Sequence, residues 1–295
     1  MSRILITGGS GMLGSALTLA LHQTHDLVSY DLKIPSEPTE GVTYVKGDVR
    51  DRETVASCVR NIDCIVHVAG FHWPQLAVAG TDEFYDVNVT GTFNVINAAL
   101  KCGVPKVVFV STIAVYGKLE SRTRATFVDE ETKVKPADTY EVTKSIAEDV
   151  CLRFCRGSPT SAIVLRMGRF NNRNPDYNVR KLLGGLDIRD AVRAIIVSID
   201  ASDIGTDIFC IASRVPFVPA DAPELVTNPS KVVERYYPGC SQILEGLGLK
   251  LPDRIHKVIL TEKAKQLLGF SPRFSFDAFL AELNSESRMR RDVPH

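Results

Sequence analysis

Tyr140-Glu-Val-Thr-Lys144 sets a phenol and an amine four residues apart, and on a helix these stand on one face, one turn from each other. A free phenol ionises near pH ~10, so it exchanges protons at neutrality only beside a cation, and Lys144 is placed to be that cation. Upstream, Val107-Val-Phe-Val-Ser-Thr112-Ile-Ala-Val-Tyr-Gly117 brings the hydroxyls of Ser111 and Thr112 to the end of an apolar strand. Either can hydrogen-bond an alcohol or a carbonyl. Together these groups could move a proton at an oxygen-bearing carbon. A Tyr-x-x-x-Lys pair alone is usually a surface feature, and its weight here comes from what accompanies it.

What accompanies it is Arg3-Ile-Leu-Ile-Thr-Gly-Gly-Ser-Gly-Met-Leu-Gly14, an apolar strand running into Gly8, Gly11 and Gly14. Glycines let backbone N–H groups approach a diphosphate closely and let the next helix start against the strand, its positive end facing the anion. Asp31 closes a second apolar run about 20 residues on, where a carboxylate grips the adenosine ribose of a dinucleotide and repels a 2′-phosphate. NAD is expected over NADP, with Lys33 nearby as a softening influence. A third run, Val42–Val49, ends in Asp48, which could meet the adenine amino group beside an apolar wall, although a lone Asp is more often a turn residue.

Strand-like runs at Ile4–Thr7, Leu27–Tyr30, Thr43–Lys46, Cys64–Val68, Lys106–Ser111 and Ser161–Arg166 alternate with helical stretches. Strands spaced by helices imply right-handed crossovers and a parallel sheet covered on both faces, an α/β doubly wound fold. Residues 1–166 are expected to form this dinucleotide-binding domain, completed by about 186–213 with a strand end and helix over Leu186–Ser198 and a buried strand at Thr206–Ala212. Residues 167–185 and 214–295 are expected to form a smaller substrate-binding lobe roofing the carboxyl ends of the strands. Within it, 171–175 read as a loop, Lys231–Tyr237, Gln242–Leu247 and Asp277–Leu283 as helices, and 288–295 as a polar tail.

The 295 residues carry 35 Lys plus Arg against 35 Asp plus Glu, so no overall field favours nucleic acid or membrane, and small-molecule ligands are expected. The first residues lack a secretory apolar core, and no stretch reaches the ~18 apolar residues of a membrane span, which predicts a cytoplasmic protein. Seven cysteines fall in no paired ligand motif, so neither zinc nor a disulfide framework is expected; Cys151 and Cys155 read as small core residues.

In these motifs the sequence resembles the extended short-chain dehydrogenase/reductases, the group of NAD-dependent sugar epimerases and dehydratases. The matching residues are Thr7-Gly8-x-x-Gly11-x-x-Gly14, Asp31, Asp48-Val49, His67-Val-Ala-Gly70, Asn88-Val-Thr-Gly91-Thr92, Ser111-Thr112-x-Ala-Val-Tyr116-Gly117, Tyr140-x-x-x-Lys144 and Leu268-Gly-Phe-Ser-Pro272. The resemblance implies a triad of Thr112, Tyr140 and Lys144, in which tyrosinate removes a hydroxyl proton while hydride passes to the nicotinamide. It implies an NAD site built from Gly8, Ser10, Gly11, Met12, Leu13, Gly14, Asp31, Asp48, Val49, Val68, Ala69, Gly70, Asn88, Tyr140 and Lys144. Lys144 would hold the nicotinamide ribose, and Asn88 would hold a loop or a relay water. A homodimer joined through helices around Phe84–Cys102 and Tyr140–Arg156 is also implied.

Three departures bear on the reaction. Dehydratases of this group carry Asp and Glu where this chain has Ile113 and Ala114, which disfavours water elimination. Only about twenty residues separate Arg166 from Asp187, short for the segment that usually binds a nucleotide diphosphate, and Arg169, Arg173, Arg180 and Lys181 are candidate phosphate contacts, although charged loop residues are more often just solvated. Gly70-Phe-His72-Trp73-Pro-Gln75 holds the only tryptophan, either an aromatic platform for a sugar with His72 and Gln75 at its hydroxyls, or a core aromatic. His72 stands where the UDP-galactose 4-epimerases, which the Val68-Ala-Gly70 segment resembles, usually carry a lysine. His67, inside a strand, reads as structural. Ser111, His72, Trp73 and Arg169 are the candidate substrate contacts. The expected activity is epimerisation of a sugar or sugar nucleotide through a keto intermediate; the alternative is a dehydrogenase of a small free sugar or uronic acid. A non-catalytic NAD sensor is a third reading, disfavoured by the intact triad.

Overall fold

A computed structural model describes residues 1–170 and 176–291, with side chains as far as 283. The predicted loop at 171–175, with Arg173, and the end of the predicted tail at 292–295 lie outside the described residues. In chain order the elements are β1 (Arg3–Thr7), α1 (Met12–Leu21), β2 (Asp26–Asp31), β3 (Val42–Lys46), α2 (Arg52–Cys58), β4 (Cys64–His67), α3 (Thr81–Tyr85), α4 (Gly91–Cys102) and β5 (Lys106–Thr112). There follow β6 (Thr126–Val128), α5 (Thr139–Cys155), β7 (Ser161–Met167), α6 (Asp176–Arg180), α7 (Ile188–Asp200) and β8 (Asp207–Ile211). The remainder comprises α8 (Ala222–Thr227), α9 (Pro229–Tyr236), α10 (Cys240–Gly246), β9 (Lys257–Ile259), α11 (Glu262–Leu267) and α12 (Phe276–Arg291).

Two compact units result, one from Met1–Gly117, Lys133–Arg166 and Val192–Phe209, the other from Lys118–Thr132, Met167–Ala191 and the chain from Cys210 onward. The sheet of the first runs β3-β2-β1-β4-β5-β7-β8. β1 pairs in parallel with β2 and β4, Thr7 standing opposite Tyr30 on one side and His67 on the other. Ile4, Leu5 and Ile6 are at most 1% exposed, as expected of a strand covered on both faces. The chain runs outward from β1 to β3, then returns to β4 on the other side of β1. The crevice beyond the ends of β1 and β4 is therefore the topological switch point, where sheets of this kind take ligands.

Three helical segments in succession cross one face of this unit. α3 passes into α4 through a π turn, Asp86–Thr90, which holds one more residue than an α turn and buries Val87 and Asn88. α4 stops at Gly103, in the left-handed region at φ 68°, a conformation glycine reaches at little cost. α5 starts on Asp138, whose carboxylate accepts from the Glu141 N–H at 2.8 Å, while the Glu141 side chain accepts from the Ala137 N–H at 2.7 Å. Cys151 and Cys155 on α5 lie in the first unit's apolar core.

The second unit has its own core, with Phe217, Leu225, Val232, Val233, Leu244 and Phe276 buried together. It contains the parallel pair β6 and β9, Phe127 opposite Val258, which no sequence pattern announced. Its last helix, α12, runs on to Arg291, so the first residues of the predicted tail are helical.

Candidate active site

The loop after β1 is shaped by two close approaches. Gly8 has φ 72°, and a Cβ there would lie 2.6 Å from the Ala69 nitrogen, so the loops following β1 and β4 touch only because this position has no side chain. A Cβ on Gly14 would fall 2.2 Å from the Gly8 carbonyl oxygen, so glycine lets α1 begin directly against β1. Gly11 caps α1 without a side-chain hydrogen bond, which leaves the N–H groups of the first turn directed at the crevice. Beside them the Asp31 carboxylate accepts from the Ser10 and Lys33 N–H groups, both at 3.1 Å, and the Ser10 hydroxyl donates to the Lys33 carbonyl at 2.6 Å. A backbone cradle with an oriented carboxylate about 20 residues downstream fits a dinucleotide. Asp48 receives three bonds from the Arg50 side chain, which hold its carboxyl below the usual carboxylate range, and Val49 is buried.

β5 and α5 carry the polar groups. Along α5 the buried residues are Thr143, Lys144, Ala147, Glu148, Cys151 and Cys155. Three of them are polar, which a helix core face tolerates only where each finds a partner. Lys144 is 6% exposed, its Nζ donating to the Val110 carbonyl at 2.6 Å and lying 4.1 Å from the centre of the Phe109 ring. Burial pulls its pKa down to about 8. Tyr140, half-buried, stands one turn earlier on the same face. Thr112 ends β5, half-buried, and its Oγ1 accepts from the Ala114 N–H at 3.1 Å, which orients the hydroxyl with its proton left to donate.

A chain of hydrogen bonds runs beneath these residues. Asn88 Oδ1 accepts from the Phe71 N–H at 2.7 Å, and its amide donates to the Phe71 carbonyl at 3.1 Å and to Thr143 Oγ1 at 3.0 Å. Thr143 in turn donates to the carbonyls of Thr139 and Tyr140. Through these bonds Asn88 holds the loop after β4 against α5. Behind it His67, fully buried, contacts Thr7 Oγ1 through Nδ1 at 2.6 Å and Thr92 Oγ1 through Nε2 at 3.0 Å. Thr92 gives its own proton to the Asn88 carbonyl, so Nε2 carries the imidazole hydrogen and Nδ1 accepts from Thr7. Burial and the Lys144 charge push the His67 pKa down to about 3, so the ring is neutral, as a structural histidine should be.

Against family models, residues 4–183 match the NAD dependent epimerase/dehydratase family. The chain belongs to that family. Among curated relatives, dTDP-glucose 4,6-dehydratase of Mycobacterium tuberculosis is 29% identical over 191 residues, which cover 61% of this chain and 56% of the relative. UDP-glucose 4-epimerase of Neisseria meningitidis serogroup C is 27% identical over 181 residues, 56% of this chain and 52% of that one. The chain spans about half the length of these curated relatives. Uronate dehydrogenase from Agrobacterium tumefaciens has the same fold, with a TM-score of 0.71 at 20% identity, covering 100% of this chain and 91% of that one.

Family membership brings NAD dependence with it, and the glycine cradle and Asp31 are the parts of this chain suited to NAD. Other expected contacts fall differently. Ser111 is 4% exposed and donates to Glu148 Oε1 at 2.5 Å, so the buried carboxylate has taken the hydroxyl that was expected to reach substrate. Lys181 is 3% exposed and ion-paired with Asp187 at 3.2 Å, which removes it from the candidate phosphate contacts. Arg169 and Arg180 flank the Tyr177 ring, 5.5 and 5.7 Å from its centre. Trp73 is 58% exposed, and Gln75 Oε1 caps the same turn by accepting from the His72 N–H. Sequence reasoning passed over Thr143, Glu148 and Arg166. Glu148 was readable, since it continues the Tyr140, Lys144 stripe by one more turn.

Proposed function

We propose that this protein is an NAD-dependent oxidoreductase acting on a secondary alcohol of a sugar. The observation that carries the reading is the placement of Tyr140 and Lys144 on one stripe of α5 and of Thr112 at the end of β5, all in the unit that holds the glycine cradle. NAD, when bound, supplies the acceptor for the hydride of the alcohol carbon. The Gly8–Gly14 loop would hold its diphosphate, Asp31 its adenosine ribose, and Lys144 its nicotinamide ribose through the N–H groups that Val110 leaves. Thr112 donates to the reacting oxygen, Tyr140 takes the hydroxyl proton, and the Lys144 charge stabilises the phenolate. Residues 167–185 and 214–295 are proposed to carry the sugar contacts.

Water elimination is disfavoured, because Ile113 is buried and Ala114 has no acid or base to offer. Between the remaining reactions, the engagement of Lys181 by Asp187 supports a small sugar without a diphosphate, such as an aldose or uronic acid, oxidised with release of NADH. Epimerisation is the second reading, supported by the family and by the Val68-Ala-Gly70 segment. Incubation with NAD and a panel of aldoses, uronic acids and UDP-sugars tests both. Accumulating NADH identifies a dehydrogenase, stereochemical interconversion without NADH an epimerase, and silence with all of them removes the reading. Association of two copies is proposed through α4 and α5, where Phe93 and Phe154 are 37% and 49% exposed and meet edge to face at 5.6 Å. A Phe154→Arg variant that leaves the mass by light scattering at that of two copies would refute this. Among the described residues no helix is long and apolar enough to cross a membrane.

A further inference from the structure

Glu148 and Arg166 take no part in the chemistry above, yet their side chains are only 3% and 6% exposed and pair at 2.8 Å. Burial works against the Arg166 charge, and the hydrogen bonds and charge of Glu148 outweigh it. Such a pair is a weak source of stability, since desolvating two ions costs about what their attraction returns and an apolar pair of similar volume often does as well. What sets this pair apart is what its other atoms hold. Glu148 Oε1 accepts from the Ser111 hydroxyl at 2.5 Å. Arg166 Nη1 donates to the Tyr116 hydroxyl at 2.8 Å, and the guanidinium lies 4.9 Å from the centre of the Tyr116 ring. Ser111 immediately precedes Thr112, and Tyr116 ends the helical turn Ile113–Tyr116 that Thr112 caps. Glu148 stands on the same stripe of α5 as Tyr140 and Lys144, two turns and one turn away. One ion pair thus ties both ends of the Thr112 turn to the helix that bears the base.

We propose that the Glu148–Arg166 pair is a positioning clamp that fixes the Thr112 hydroxyl relative to Tyr140. The reaction it serves rests on the function proposed above, whereas the clamp rests on geometry alone. The test replaces Glu148 and Arg166 together by Met and reads the urea midpoint, amide exchange over 113–117, kcat and the KM for NAD. The double variant is expected to keep wild-type stability, to exchange about tenfold faster over 113–117, and to lose about tenfold or more in kcat at unchanged KM, because a misplacement of about 1 Å is enough for such a loss. Ser111→Ala with Tyr116→Phe leaves the ion pair whole and removes its hydrogen bonds to both ends of the turn, so it gives the same readout if the Met pair does not fold. A folded variant with wild-type exchange, or one with faster exchange and wild-type kcat, overturns the proposal. Faster exchange in a protein whose wild type transfers hydride from no sugar supports the clamp and removes the functional reading instead.

Discussion

Replacing Lys144 by Met should make the protein more stable at neutral pH while removing its activity, and the pH dependence of that gain is worked out from the structure. Lys144 is buried against Phe109 with one carbonyl partner, and burial pulls its pKa from 10.5 to about 8. In the unfolded chain the amine keeps its ordinary value, so between pH 8 and 10.5 the unfolded state binds a proton that the folded state does not. Stability of the wild type therefore rises with pH through that window, by about 3 kcal/mol from this group alone. Below pH 8 the whole penalty is present, and above 10.5 it is gone. The Met variant has no such group, so its advantage over wild type should be about 3 kcal/mol larger at pH 7 than at pH 10.5, whatever the side chain's own packing contributes. Urea denaturation of both proteins at several pH values measures the difference directly. A difference that stays constant from pH 7 to 10 would show that Lys144 is not a desolvated cation, and the account of how Tyr140 is activated would fall with it.

Tyr140→Phe should lower kcat by about 10²- to 10⁴-fold with NAD affinity unchanged by isothermal titration; a weakened affinity would instead point to a binding role. Asp31→Ser should weaken NAD by roughly tenfold and improve NADP, because the carboxylate that Ser10 and Lys33 orient is lost; equal loss of both cofactors would contradict the ribose assignment. Gly14→Ala puts a methyl 2.2 Å from the Gly8 carbonyl oxygen and should cost about 1–3 kcal/mol by denaturation, together with NAD binding. Full NAD affinity in that variant would argue against the cradle.

Much of the first unit was legible because its signals are local. Ile4, Leu5 and Ile6 form a continuous apolar run, the glycine spacing follows at once, and the seven predicted strands match β1–β5, β7 and β8 to within a residue or so at each end. β6 and β9 escaped because three-residue strands are too short to show a period and pair across more than a hundred residues. Two features of the site were hidden for one reason. Polar residues beside a ligand site usually read as available, and the partners that Ser111 and Lys181 find in Glu148 and Asp187 are not visible as partners in one dimension. Trp73 was undecidable, since exposure depends on what folds over it. For Asn88 two roles were open in the sequence, and its bonds to Phe71 and Thr143 are those of a residue that holds the loop.

The π turn between α3 and α4 gives this stretch a reading frame. Phe84, ahead of it, is fully buried, while Thr92 and Asn94, behind it, reach His67 and the Val49 carbonyl. Each residue of an α-helix advances the side-chain direction by about 100°. Removing one residue from 86–90 would wind the turn into regular helix and swing one flank by that angle against the other. Either Phe84 would leave the core or the His67 and Asn88 bonds would break. An uninterrupted helix drawn through these residues would thus have the right composition and the wrong phase, and a change of length by one in this segment should be as damaging as a substitution at Tyr140.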